Sequence, residues 1–206
     1  MKSRAICFTL FSTIAIIIAA SLPAQAQRAR VFVSVTGDDA NPCTAGSPCK
    51  TFQHAHDVVL AGGEISVLDT GGYGTLAVNK ALSIVSPEGV EASIAVPSGT
   101  VGITINASST DRISLRGLTL DGTHVGSSGI KFSSGKSLTI DGCVIRNMTG
   151  FGFLFSPTAA AVLTMSNSFI EDNAGTGLQI ATNSSGAVKA SIDRIVMSGN
   201  GIGGLR

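Results

Sequence analysis

From residue 102 onward the chain repeats one short phrase: glycine, apolar, any residue, apolar. It occurs at Gly102-Ile103-Thr104-Ile105, Gly129-Ile130-Lys131-Phe132, Gly152-Phe153-Leu154-Phe155 and Gly177-Leu178-Gln179-Ile180, in steps of 27, 23 and 25 residues. A second track runs Ile113-Ser114-Leu115, Leu138-Thr139-Ile140, Leu163-Thr164-Met165 and Ala190-Ser191-Ile192, in steps of 25, 25 and 27. A third keeps the same steps through Leu118-Thr119-Leu120, Cys143-Val144-Ile145, Ser168-Phe169-Ile170 and Ile195-Val196-Met197. Each unit of about 25 residues thus carries three period-two strands, separated by Gly, Asn, Asp and Ser turns. Strands this short are not stable alone, so each coil has to hydrogen-bond the next. Parallel stacking then places equivalent residues ~4.8 Å apart, with apolar positions as inward ladders. The middle residues of the second track, Ser114, Thr139, Thr164 and Ser191, form an outward hydroxyl row. The pattern predicts an all-β, single-stranded parallel β-helix over residues 64–206. A leucine-rich horseshoe lacks its Leu and Asn ladder here, and propeller blades need ~40–45 residues per repeat. Cys143 falls on an inward position and reads as a buried free thiol.

Residues 1–26 have a different pattern. A basic Met1-Lys2-Ser3-Arg4 precedes an apolar run from Ala5 to Ala20, and Ala24-Gln25-Ala26 supplies a small-residue cleavage site. This is the build of a secretory signal peptide, and the run is shorter than the ~20 residues of a membrane span. The expectation is a secreted or periplasmic protein with no integral membrane segment after cleavage. Between the leader and the coils, residues 27–63 hold an alternating strand, a cysteine loop and a short helix. Export permits a disulfide between Cys43 and Cys49, across a loop of turn residues. A zinc site is the competing reading, weakened by the absence of a CxxC spacing or a nearby ligand pair.

The opening of this region carries a resemblance. Arg30-Val31-Phe32-Val33-Ser34-Val35-Thr36-Gly37-Asp38-Asp39-Ala40-Asn41-Pro42 is a strand entering a turn, and Cys49-Lys50-Thr51-Phe52-Gln53-His54-Ala55 follows. It resembles the start of secreted right-handed β-helix proteins of the pectate-lyase-like superfamily. There a strand, a "G-D-x-x-N-P" turn and a "K-T-F-Q-x-A" helix cap the first coil. The resemblance is close over residues 30–74 and looser through the coils. It implies a right-handed coil and a capping helix, and it says little about activity. In this chain Phe52, Ala55 and Val59 share one face of that helix and can cover the apolar end of the stack. Thr51 is available as its N-cap.

Composition limits the functions available. The chain has 206 residues, 13% of them charged, with 25 Gly, one Tyr and no Trp. Without the leader, 12 bases face 13 acids, a net charge of −1. No polycationic surface remains, so nucleic acid is excluded as a partner. Candidate chemistry is sparse. Asp121, Arg146 and Glu171 follow the third track at steps of 25 and should stack as acid, base, acid; Arg116 precedes Asp141 likewise. Lyases of the superfamily use an outward Arg or Lys to take the proton alpha to a uronate carboxylate, often with carboxylate-bound calcium. An arginine between two carboxylates is held cationic, which opposes that role and favours a structural charge ladder. His124 sits in a turn, where it is a candidate base at a groove edge. His54 and His56 lie two apart on the helix and cannot share a metal through its i, i+4 face. The polygalacturonase elements "N-T-D", "G-H-G" and "R-I-K" are absent from the chain, and the triplets at Asn106, Asn147 and Asn183 carry little weight. Of seven Phe outside the leader most fall on inward tracks, with Phe169 an exception expected outward, where it and the outward Leu154 form a modest apolar patch.

The sequence reading is therefore an exported, non-catalytic β-helix module, without cofactor, that binds or organises extracellular or envelope polysaccharide. The alternatives are a lyase or glycoside hydrolase acting on a uronate polymer, with calcium under the lyase reading, and a structural surface protein. The last residues, Gly201 to Arg206, fall inside another repeat of the glycine track without a polar cap, so the expectation is a truncated product ending mid-coil or, alternatively, an edge that pairs with another chain.

Overall fold

The structure is a computed structural model that describes residues 28–182 and 187–206. The leader and Asn183 lie outside the described residues. The three tracks become three ladders of parallel strands. Ile103 pairs with Ile130, then Phe153, Leu178 and Leu205. Ile113, Leu138, Leu163 and Ala190 form the second ladder, and Thr119, Val144, Phe169 and Val196 lie along the third. Every rung is thus hydrogen-bonded to the coil before it, as the short strands require. Six rungs on the first and third ladders give a β-helix of about five turns. The second and third ladders merge into one sheet because Ala161–Glu171 and Val188–Ser198 each run through both.

Inside, the apolar positions stack in files that exclude water. Ile84, Leu115, Ile140 and Met165 are fully buried, as are Ile94, Leu120, Ile145 and Ile170. Phe132 and Phe155 stack with ring centroids 4.6 Å apart. Cys143 is wholly buried on an inward position, and burial pushes its thiol up to about 11. One polar file runs among them. Buried Asn173 accepts from the Met148 amide at 3.0 Å and donates to Asn200 at 2.9 Å, which donates in turn to the Ile170 carbonyl.

The corner between the second and third ladders is held by left-handed backbone. Gly117, Gly142, Asn167 and Arg194 occupy equivalent positions with φ of 70, 63, 50 and 49°. Glycine and asparagine accept that conformation at little cost, which is why the turn residues recur at the coil period.

The N-terminal strand Arg28–Val33 lies parallel to Val59–Val67 and adds a rung below the first coil. The capping helix spans Phe52–Val58, with Thr51 as N-cap accepting from the His54 amide at 3.1 Å. Phe52, Ala55, His56 and Val58 are its buried residues. Val59 is buried too, but its backbone is already extended and opens the next strand, so the helical face ends one residue earlier than the periodicity predicts. Phe52 packs on fully buried Tyr73 at 5.1 Å, and Asp69 ties the region together by accepting from Ser34, the Val35 amide and Tyr73. At the other end, Val188–Ser198 and Gly203–Leu205 have a neighbouring coil on one side only, and Val196, Ile202 and Leu205 are exposed.

Candidate functional site

Four residues of extended chain, on the order of 13 Å, separate the two corners that bound the third ladder. Its outward positions run Thr119, Val144, Phe169, Val196 from coil to coil, so the middle of this face turns apolar toward high residue numbers. Phe169 is 45% exposed and Val196 47%. Together with Val144 and Val196 the Phe169 ring makes an outward apolar strip on an otherwise polar face.

Each corner is ionic. On one side Arg116 Nε lies 3.3 Å from Asp141 Oδ2, while Asp141 Oδ1 accepts from Ser166 Oγ and Asn167 Nδ2, both at 2.8 Å. The bonds from Asn167 and Ser166 hold the Asp141 carboxyl below the usual carboxylate range. On the other side Asp121 Oδ2 accepts from Arg146 Nε at 2.9 Å, and Oδ1 accepts from Asn147 Nδ2 and the Thr123 amide. Partial burial works to raise the Asp121 carboxyl, but the bonds from Asn147, Thr123 and Arg146 outweigh it and leave the group more acidic than usual. The first corner opens into a shallow groove of about 780 Å³, lined among others by Glu88, Glu91, Arg116, Thr119, Asp141 and Asn167. Three carboxylates face one guanidinium there. A smaller depression of about 450 Å³ on the second ladder is lined by hydroxyls of Ser83, Ser114, Ser137 and Thr139.

The structure sorts the residues that the sequence singled out. Asp121, Arg146 and Glu171 stand in register on consecutive coils. Only the lower pair closes: among the described residues no ion pair joins Arg146 to Glu171, so the expected three-membered ladder is a two-membered one held by Asn147 as well. Arg116 and Asp141 pair as the spacing predicts. His124 is exposed on left-handed backbone with φ of 60°, and it does not line the groove. Cys43 and Cys49 are joined in a disulfide, and among the described residues the free thiol is Cys143. His56 is buried, its Nδ1 3.0 Å from Asp57 Oδ1. His54 turns elsewhere: one of its ring nitrogens and the two cysteine sulfurs all lie within 4.8 Å of one another.

Sequence reasoning missed Glu88 and Glu91, which line the groove from a coil before residue 102. There the rungs step by 19 residues, from Ile65 to Ile84, and by 31, from Leu82 to Ile113. No constant period marks those coils, so nothing in the sequence placed their turns beside Arg116.

Residues 70–195, more than half of the chain, match the family model described as a right handed beta helix region. No curated protein matches the sequence.

Proposed function

The chain belongs to the right-handed β-helix family, and from that premise we propose that it is an exported module that binds polysaccharide along its third ladder. The observation that carries this reading is the exposed Phe169, flanked by Val144 and Val196 and bounded by the two ionic corners. A sugar ring has an apolar face and a hydroxyl rim. An aromatic ring meets the first, and Asp, Asn and Arg side chains meet the second. The groove is lined by Thr119 and Asn167 and not by Phe169; it is shallow and crosses successive coils, which suits a polymer lying across several rungs better than a small molecule needing enclosure.

Charge selects among polymers. Glu88, Glu91 and Asp141 outnumber Arg116 in the groove, which repels a polyuronate and favours a neutral or amino-bearing glycan. The same ionic pairing argues for binding without turnover. A general base has to be unprotonated, and the Asp121 carboxylate at 2.9 Å stabilises the Arg146 cation instead.

The test is calorimetric titration of the protein with a neutral glucan, an amino-sugar polymer and a polyuronate. Binding should appear with one of the first two, and Phe169→Ala should weaken it about tenfold, roughly 1.4 kcal/mol of stacking. Selective polyuronate binding overturns the reading. So does release of unsaturated, ultraviolet-absorbing product that disappears in Arg146→Ala. Export is checked by the mass of the recovered protein, which should begin at Gln27.

A further inference from the structure

The sulfurs of Cys43 and Cys49 are wholly buried beside an imidazole nitrogen with no partner of its own. His54 Nε2 is inaccessible to solvent and makes no hydrogen bond among the described residues. Burying such an atom unpaired is unfavourable, by roughly 1–3 kcal/mol, and a native chain rarely keeps one without a use. The same imidazole offers a nitrogen within 4.8 Å of both sulfurs, and both sulfurs lie 3.8 Å from the Asn41 carbonyl oxygen. In a tetrahedral zinc site with Zn–S near 2.3 Å and Zn–N near 2.0 Å, donors stand about 3.5–3.8 Å apart. Reduction frees the two sulfurs to part toward that spacing while the imidazole stays within 4.8 Å of where they now lie.

The backbone is arranged so that breaking the bond does not scatter the donors. The Cys43 carbonyl accepts from the Phe32 amide at 2.9 Å, the Cys49 amide donates to the Phe32 carbonyl at 3.0 Å, and the Cys49 carbonyl accepts from Ser34 at 2.9 Å. Both cysteines are thereby pinned to the N-terminal strand independently of their sulfurs. His54 is pinned through its amide to Thr51, and Thr51 is held by Asp39 through its amide and its hydroxyl.

We propose that Cys43, Cys49 and His54 form a Cys2His zinc site when the disulfide is reduced, so that the N-terminal cap carries two interchangeable staples. A dithiol reductant exchanges twice with the bridge, leaves as its own cyclic disulfide and releases two thiols. Zn²⁺ then displaces one proton from each thiol and takes the Nε2 lone pair, with water in the fourth position. The staple is covalent where thiols are oxidised and metallic where they are kept reduced. This inference does not depend on what the third ladder binds.

The experiment compares oxidised and dithiol-reduced protein, freed of reductant without air, by Zn²⁺ titration and by Co²⁺ absorption. Reduced protein should take up one equivalent, with sulfur-to-cobalt charge-transfer bands, and zinc should restore thermal stability lost on reduction. Oxidised protein should take up none. His54→Ala, with His54→Gln beside it, should keep the oxidised melting temperature. In the reduced state either variant should lose at least about tenfold in zinc affinity, the lower bound for removing even an outer partner of a ligand. Reduced protein that binds no zinc, or variants that bind it as tightly as the parent, would overturn the proposal.

Discussion

Asp121 receives three hydrogen bonds on two oxygens, from Arg146, Asn147 and the Thr123 amide. Asp69 and Asp141 are similarly surrounded, and each of the three carboxyls is held below its ordinary value. A carboxyl more acidic in the folded than in the unfolded chain stabilises the fold above the unfolded value, near pH 4. That contribution is lost as pH falls through the folded value. The melting temperature should therefore be level from pH 7 to 5 and decline below about pH 4. Asp121→Asn should cost under about 1 kcal/mol at neutral pH, because Arg146 is 41% exposed. It should also flatten the acid decline; an unchanged decline in that variant would exclude Asp121 as a source.

At the scale of one coil, stacking leaves no space beside certain backbone atoms. A Cβ on Gly152 would sit 2.5 Å from Ile170 Cγ2 and 2.7 Å from the Gly177 carbonyl oxygen. Neither can retreat, since Ile170 is buried and Gly177 belongs to the next rung. Gly152→Ala should cost roughly 1–3 kcal/mol in urea unfolding, the range for overpacking a filled core. Gly46→Ala, whose Cβ would meet nothing within 4 Å, should stay within about 0.5 kcal/mol. The repeat made such glycines legible from residue 102 on, because a fixed period assigns inward, outward and corner roles at once. Ladder registers, the Arg116–Asp141 pair and the inward Cys143 all follow from it. The groove does not, since Glu88 and Glu91 lie on coils of unequal length. Nor does the His54 contact with the cysteines: helix phase and loop closure are set in three dimensions, and no spacing ties residue 54 to residues 43 and 49. Glu171 shows the opposite error. Register was right, yet two side chains on adjacent rungs need not meet when Asp121 already holds Arg146.

For the whole molecule, membership in the β-helix family is the firm result, and the two ends of the stack differ. One is covered by the helix Phe52–Val58; at the other, Ile192, Ile195 and Met197 point inward yet are only partly buried. An open rung of this length is a template for another strand. In sedimentation velocity the chain by itself should associate as concentration rises. Ile192→Lys with Ile195→Lys should abolish this while the circular dichroism stays β. Association that survives both lysines would place the contact elsewhere.

The same asymmetry gives the molecule a mechanical direction. Each coil is supported mainly by its neighbours, so loss of structure propagates where a neighbour is missing. Tension applied to the high-numbered end should unwind the chain one turn at a time, like thread from a spool. Tension on the other end meets the Cys43–Cys49 bridge and the packed helix first, and should yield in one larger event. The described coils would then be compliant when pulled from their high-numbered side and stiff when pulled from the helix-capped side.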